Sequence, residues 1–317
     1  MTRFITILGI IIGICSCGKD DVVITEVDDE ISAWLDTMNI SASRDNGTGI
    51  YFYPEVTNSA GTQATNGSVV AIYYTLSDLN GNLIASHRRG NGDSLVFKLG
   101  ASAVYPVGLD FCVGLMNVGE TYNFILPPAQ AYRELTSRAI NPSVIALLQI
   151  ELAAVQSEAD LFQQDNEDIQ AYIDDNFLDS LQINPLDSTV LFDASGIVYK
   201  RLRAGNGALP LNGDTIVVDF TGRFLNDASF TSGSGFEWIF GANQPRELLP
   251  SFEFGASLMQ AGERALIIVP SSQGYRESAL IIPDFITNDL INDAIIPDYV
   301  SSVPPYRTLL FEITRVD

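Results

Sequence analysis

The chain has 317 residues, 46% of them hydrophobic and 18% charged, with 39 acidic against 17 basic side chains and a formal charge of −22. That length and composition suit about two globular domains with real cores, and the scattered negative charge repels phosphate backbones and excludes nucleic acid as a partner. A single histidine, His87, sits in the polar stretch SHRRGNGD and excludes His-rich zinc sites and multi-histidine catalytic centres. With no phosphate-binding loop, GxSxG elbow, HExxH helix or complete EF-hand in the chain, neither a metal nor a cofactor is expected.

Residues 1–16 carry Arg3 and an apolar run over residues 4–14, which reads as a secretory signal too short to span a bilayer. Its ending, ICSC, resembles the lipobox of bacterial lipoproteins. That likeness implies that Cys17 is diacylated, that residues 17–27 form a tether, and that the protein meets the membrane through the lipid, since several acyl chains anchor stably where one does not. The next residues, GKDD, resemble the export signal of surface-exposed lipoproteins in some Gram-negative bacteria. The implied location is the cell envelope, at the outer membrane and facing outward. Cys112 is then left without a disulfide partner and reads as a small core residue in the apolar segment GLDFCVGLM.

A first unit, residues 28–155, opens with an acidic amphipathic helix that places Ile31, Trp34, Leu35 and Met38 on one face. Strand-like GIYFYPEV and NGSVVAIYYTL follow, and the DLNGN at residues 78–82 reads as a hairpin turn. A short helical stretch at residues 108–116 leads into LMNVGETYNFILPPAQAY at residues 115–132, and SVIALLQIELAAV closes the unit. Residues 156–163 read as a joint. The second unit, residues 164–317, repeats the order: a helix with Ile169, Tyr172, Ile173, Phe177 and Leu181 on one face, then GIVYKRL, NGDTIVVDFTG, a helical stretch at residues 249–259, and RTLLFEITRV at the end. Between them stands LMQAGERALIIVPSSQGY at residues 258–275, identical to its counterpart at eight of eighteen positions without a gap. Runs of strand with isolated helices predict an α+β fold, not a parallel βαβ array.

The order GDTIVVDFTGRFLNDASFTSG, FEWIFG, LLPSFEFGASLMQAGERALIIVPSSQGY and VPPYRTLLFEITRV resembles the FKBP-type peptidyl-prolyl cis-trans isomerases, over about 105 residues of the second copy and about 90 of the first. The resemblance implies two domains, each a twisted antiparallel sheet wrapped around one short helix, with a substrate proline held in an aromatic pocket between them. In the second copy it places Phe220, Phe230, Phe236, Trp238, Phe252, Tyr275 and Phe311 around the pocket. Leu248 and Leu249 stand at the Val-Ile pair, whose second amide binds the substrate carbonyl, and Val303 at the Ile of Ile-Pro-Pro. The degenerate first-copy matches are Tyr74, Ile84, Leu95, Phe97, Leu109, Tyr132, Ile140 and Leu148, with the Val-Ile match open between Val104, Tyr105 and Pro106. Departures are clear. The family's pocket Asp is Thr231 in one copy and Ala85 in the other, its helix Trp is Phe252 and Leu109, and the Gly after the pocket Tyr is Arg276 and Arg133. The first copy has lost most of its rings and is expected to be weak or inactive.

Prolyl isomerisation breaks no covalent bond. Its barrier of about 18–20 kcal/mol is amide resonance. An apolar pocket disfavours the dipolar planar amide, and the Tyr275 hydroxyl and Leu249 amide would donate to the twisted carbonyl while Phe236, Phe252 and Phe311 hold the ring. This makes the chain an isomerase and folding helper for exported, proline-containing polypeptides, or alternatively a non-catalytic binding module for them, or a structural lipoprotein that keeps only the scaffold. Eight residue steps separate Tyr132 from Ile140, whereas 28 separate Tyr275 from Val303. The added residues contain IIPDF at 281–285 and IIPDY at 295–299. One reading folds such a segment back over the second copy's pocket as a lid or pseudo-substrate. The other is a helical surface elaboration packed through Ile281, Ile286, Leu290 and Ile291.

Overall fold

A computed structural model describes residues 19–135, 140–183, 190–242, 249–296 and 303–317. In chain order the first copy runs α1 (Lys19–Met38), β1 (Ser43–Arg44), β2 (Tyr51–Val56), β3 (Val69–Asp78), β4 (Leu83–His87), β5 (Leu95–Lys98), β6 (Val104–Tyr105), α2 (Leu109–Gly114), β7 (Thr121–Leu126) and β8 (Ala146–Gln156). The second runs α3 (Glu158–Ile183), β9 (Val190–Phe192), β10 (Val198–Arg203), β11 (Thr215–Phe224), β12 (Ser229–Ile239), α4 (Pro250–Leu258), β13 (Arg264–Val269), β14 (Leu280–Ile281), α5 (Thr287–Asn292) and β15 (Leu309–Arg315).

The duplication extends to topology, with β5 as an extra strand in the first sheet. One sheet has the order β1-β2-β7-β8-β3-β4, with β5 also on β3; the other has β12-β11-β15-β13-β10-β9. Read from the same end, β2, β7, β8 and β3 correspond to β10, β13, β15 and β11, and every pairing within the two sheets is antiparallel. Alternation sets the inner faces. Val70, Ile72, Tyr74 and Leu76 of β3 point to the first core beside Leu148, Ile150 and Leu152 of β8.

The two inner strands do not alternate, because both of their faces are covered. On β13, Ala265, Ile267 and Val269 face α4, while Leu266 and Ile268 pack on Ile169 and Ile173 of α3. On β7, Phe124 and Leu126 face the core and Ile125 meets Ile31 and Leu35 of α1. Each acidic amphipathic helix thus covers the back of its own sheet. Met38, expected on the buried face of α1, is 54% exposed at the helix end, and the side chain of Leu181 lies outside the described residues.

The repeated Met-x-x-Gly-Glu is a corner ahead of these inner strands. Met116 and Met259 are fully buried. Gly119 and Gly262 turn the chain at φ 84° and 77°, a region that side-chain-bearing residues avoid. The buried carboxylates then accept backbone bonds: Glu120 from Asn117 (2.7 Å) and Asn58 (2.9 Å), and Glu263 from Gln260 (3.2 Å), with Arg201 Nε at 2.9 Å and the Tyr199 hydroxyl also on Glu263. Loose N–H groups at a tight bend are satisfied in this way.

The stretch read as a joint contains no loop. β8 ends at Gln156 and α3 begins at Glu158. Glu158 ties the copies together: its carboxylate takes Lys98 Nζ at 2.8 Å, the Tyr306 hydroxyl at 2.8 Å and Arg276 at 3.2 Å. A second link is a two-stranded parallel ladder of β6 and β14, Leu280 opposite Val104 and Ile281 opposite Tyr105. The Tyr105–Pro106 and Ile282–Pro283 peptides are cis.

Lys98 holds the Glu158 carboxyl below its ordinary value of 4.5; burial opposes this, and Tyr306 and Arg276 add to it. A depressed carboxylate pKa contributes stability above the unfolded value and loses it as pH falls through the folded one. Glu158→Gln should therefore lower the melting temperature at pH 6–7, and the gap from wild type should close below pH 4.5. A gap that persists unchanged in acid would contradict this role.

Candidate active site

The face of the second sheet that packs on α4 gathers the rings named from the sequence. Phe220, Phe230, Phe236, Trp238, Leu249, Phe252, Val303 and Phe311 pack in one cluster with Tyr275. Phe252 of α4 lies at the centre, with ring centroids 4.9 Å from Phe311, 5.3 Å from Phe220, 6.2 Å from Phe236 and 6.3 Å from Trp238, all edge to face. That is the spacing favoured by aromatic quadrupoles. Trp238, Phe252, Phe311 and Val303 are buried as a floor, while Phe220, Phe230, Phe236 and Tyr275 remain partly exposed. Thr231 stands on β12 opposite Gly222.

The cluster includes the two residues from which the sequence reading draws its donors. Leu249 is the N-cap of α4, with Pro250 at the first helical position; the first N–H groups of a helix have no partner within it. Burial raises the Tyr275 phenol above its ordinary value, so it stays protonated and can donate. Arg276 adopts φ 45°, the left-handed conformation that explains a glycine at this place in the resembled pattern. Leu248 and Cys17 lie outside the described residues. Among the described residues no group of three or more His, Cys, Asp or Glu side chains could hold a metal ion.

In the first copy Tyr74, Phe97, Leu109, Tyr132, Ile140 and Leu148 also converge, all buried, with Ile84 and Leu95 at the edge. Here the cluster is completed from the other copy by Leu280, Ile281, Ile282, Ile286 and Leu290. The Tyr132 hydroxyl donates to the Ile282 carbonyl at 2.7 Å. Residues 280–290 of the long segment after Tyr275 therefore do not lid the second copy's rings, as one sequence reading had it for the IIPDF motif. They reach the first copy instead. The physical reason is the lost rings: Leu109, Leu95, Ile84 and Leu148 stand where the second copy has Phe252, Phe236, Phe230 and Phe311, and the branched side chains of the segment complete that apolar face. Of the residues the helical alternative named, Ile286 and Leu290 are fully buried at and within α5, Ile281 is buried on β14, and Ile291 is only half-buried. Of the second apolar-Pro motif, residues 297–299 lie outside the described residues.

The sequence profile of the FKBP-type peptidyl-prolyl cis-trans isomerases matches residues 60–153 and 207–315, which together are more than half of the chain. The chain belongs to the FKBP family. Its FKBP relatives include the chloroplastic peptidyl-prolyl cis-trans isomerase FKBP19 of Arabidopsis thaliana, 34% identical over an alignment of 99 residues, with 26% of this chain and 38% of the relative covered. The probable FKBP-type isomerase FkpA of Neisseria meningitidis is 30% identical over 99 residues, 31% of this chain and 35% of the relative. The outer membrane protein MIP of Legionella longbeachae is 32% identical over 83 residues, 26% of this chain and 34% of the relative. The chain spans little more than a third of the length of these curated relatives. Among solved FKBP structures, the three FKBP domains of wheat FKBP73 align over 87% of this chain and 98% of theirs, at 17% identity and a TM-score of 0.32.

Several contributors to this FKBP site escaped sequence reasoning. Phe224 stacks on Phe230 at 4.9 Å, and Phe240 and Phe254 pack against the cluster. Glu253, in the first turn of α4, accepts the Trp238 indole N–H at 2.6 Å and fixes that ring. Glycines let the rings close. A Cβ on Gly222 would stand 2.6 Å from Thr231, 2.7 Å from Phe230 and 3.0 Å from Phe311. The signal was present as two glycines, Gly222 and Gly233, in strands that otherwise favour larger residues.

Gly222→Ala should overpack the rings and cost about 1–3 kcal/mol. Chemical denaturation should show the loss, and near-ultraviolet dichroism should show a changed aromatic environment. An unchanged midpoint would mean the rings are not held by that contact.

Proposed function

We propose that the second copy is a peptidyl-prolyl cis-trans isomerase acting on proline-containing polypeptides, and that the chain serves as a folding helper for exported proteins. The observation that carries the reading is the convergence of Phe220, Phe230, Phe236, Phe252 and Phe311 with Tyr275 in one partly exposed cluster, inside a stretch that matches the family. A pyrrolidine enters among rings, water is reduced around the amide, and the planar dipolar form loses solvation relative to the twisted one. The Leu249 amide and Tyr275 hydroxyl donate to the carbonyl as it rotates. No proton moves. The first copy, with most of its rings lost and its apolar face covered by residues 280–290, does not turn over substrate.

The envelope part of the proposal rests on residues 1–21: an apolar run, the lipobox-like ICSC and GKDD. Lipid on Cys17 would hold the protein at the outer membrane, facing outward. Among the described residues no helix is long and apolar enough to cross a membrane. A non-catalytic binding module is favoured by one specific feature, Thr231 in place of the family's pocket Asp.

A protease-coupled prolyl-peptide assay at low temperature decides between these readings. The full chain should accelerate isomerisation. Tyr275→Phe should lower kcat/KM by about tenfold, equivalent to one lost neutral hydrogen bond of about 1.4 kcal/mol. Peptide binding without acceleration would leave the binding module. For the anchor, labelled palmitate should enter the wild-type protein in a bacterial host and be absent from Cys17→Ser; equal labelling of both would remove the anchor.

A further inference from the structure

We propose that the first copy is a binding site for an apolar strand ending in proline, and that its resident ligand is residues 280–283 of the second copy. The inference does not rest on turnover by the second copy. It rests on contacts of two kinds. The first is strand addition: β14 lies parallel to β6, the Leu280 N–H donates to Ala103 O at 2.8 Å, and the Ile282 N–H donates to Tyr105 O at 2.9 Å. An exposed strand edge commonly takes up an extended peptide in this way.

The second is the seat itself. Tyr132 occupies the position that matches Tyr275, and its hydroxyl donates to the carbonyl of Ile282, the residue before Pro283. Burial holds the Tyr132 phenol well above its ordinary value, so it remains a donor. Leu280, Ile281, Ile282 and Pro283 are all buried there, and Asp284 and Phe285 emerge to solvent directly after. Ile286, just before α5, and Leu290 within it then return to the same core. The segment leaves and rejoins the second copy at a narrow neck, where Ser278 Oγ donates to Val303 O at 3.2 Å and the Tyr306 N–H to Arg276 O at 2.8 Å. A neck of this kind lets the segment occupy the neighbour without drawing on the second copy's own rings.

The ligand class follows: Leu or Ile at the two positions before an Ile-Pro, extended, with an acidic residue tolerated after the proline. Because the resident segment is tethered, its effective concentration is in the millimolar range, and a free peptide of the same chemistry competes poorly. The first copy would thereby bind its sister domain and be closed to clients.

The test uses the full chain with residues 279–302 excised and Ser278 joined to Val303 through two glycines, together with a fluorescein-labelled synthetic peptide of residues 277–293. Anisotropy should show saturable binding to the excised chain, and binding about a hundredfold weaker to the intact chain. Tyr132→Phe in the excised chain should weaken the peptide by about two- to tenfold, and Pro283→Ala in the peptide should weaken it further. No saturable binding to a folded excised chain, or equal binding to the intact one, would overturn the proposal. Hydrogen exchange on the intact chain gives an answer even if the excised chain does not fold. The Leu280 and Ile282 amides should be protected, and Ile282→Asp should accelerate both by more than about tenfold while the β10–β13 pairing keeps its protection. Unprotected amides in the wild type, or no acceleration in the variant, would overturn it equally.

Discussion

A sheet packed on one short helix leaves apolar side chains at its open side, and apolar surface in water must be covered or put to use. This constraint governs both halves of the chain. In the second copy that open side is lined by aromatic rings held edge to face around Phe252, several of them still in touch with solvent. In the first copy the rings have given way to Leu109, Leu148, Ile84 and Leu95, and the side chains of Ile281, Ile282, Ile286 and Leu290 cover that side. One fold, written twice, thus leaves one cluster of rings partly exposed and covers the other with its own chain.

What the two copies share is the frame. Each sheet carries an inner strand buried on both faces, with the short helix on one side and the acidic helix on the other. Each inner strand begins at a glycine turn locked by a buried glutamate. A buried carboxylate without such partners would be costly, so the Met-x-x-Gly-Glu stretch is constrained by folding and has no need of a catalytic explanation. The same frame holds Leu249 and Tyr275 within the cluster of rings.

Much of this was legible in the residues. Alternation in VVAIYYTLSD and the 3.6-residue period of Ile31, Trp34 and Leu35 foretell strand and helix by local geometry alone. The order of motifs brings Phe220, Phe236, Phe252 and Phe311 together, because the topology they belong to is shared across a family. The destination of residues 280–290 was not legible. Their apolar, proline-bearing character fits any apolar cleft, and the partners that decide between clefts, Ala103, Tyr105 and Tyr132, are more than a hundred residues away in the chain. The continuity of β8 and α3 was hidden as well, since Leu161 gains its burial from Val69 and Tyr306, which only the folded chain brings near.

The division of labour between the clefts is open to one direct measurement. A short proline peptide is titrated into the isotope-labelled full chain while backbone amide resonances are followed by NMR. If the clefts differ as described, resonances near Phe236, Leu249, Phe252 and Tyr275 will move with peptide concentration, and those near Tyr105, Tyr132 and Ile282 will stay in place. Movement at the first cleft over the same concentrations, or stillness at the second, would contradict it.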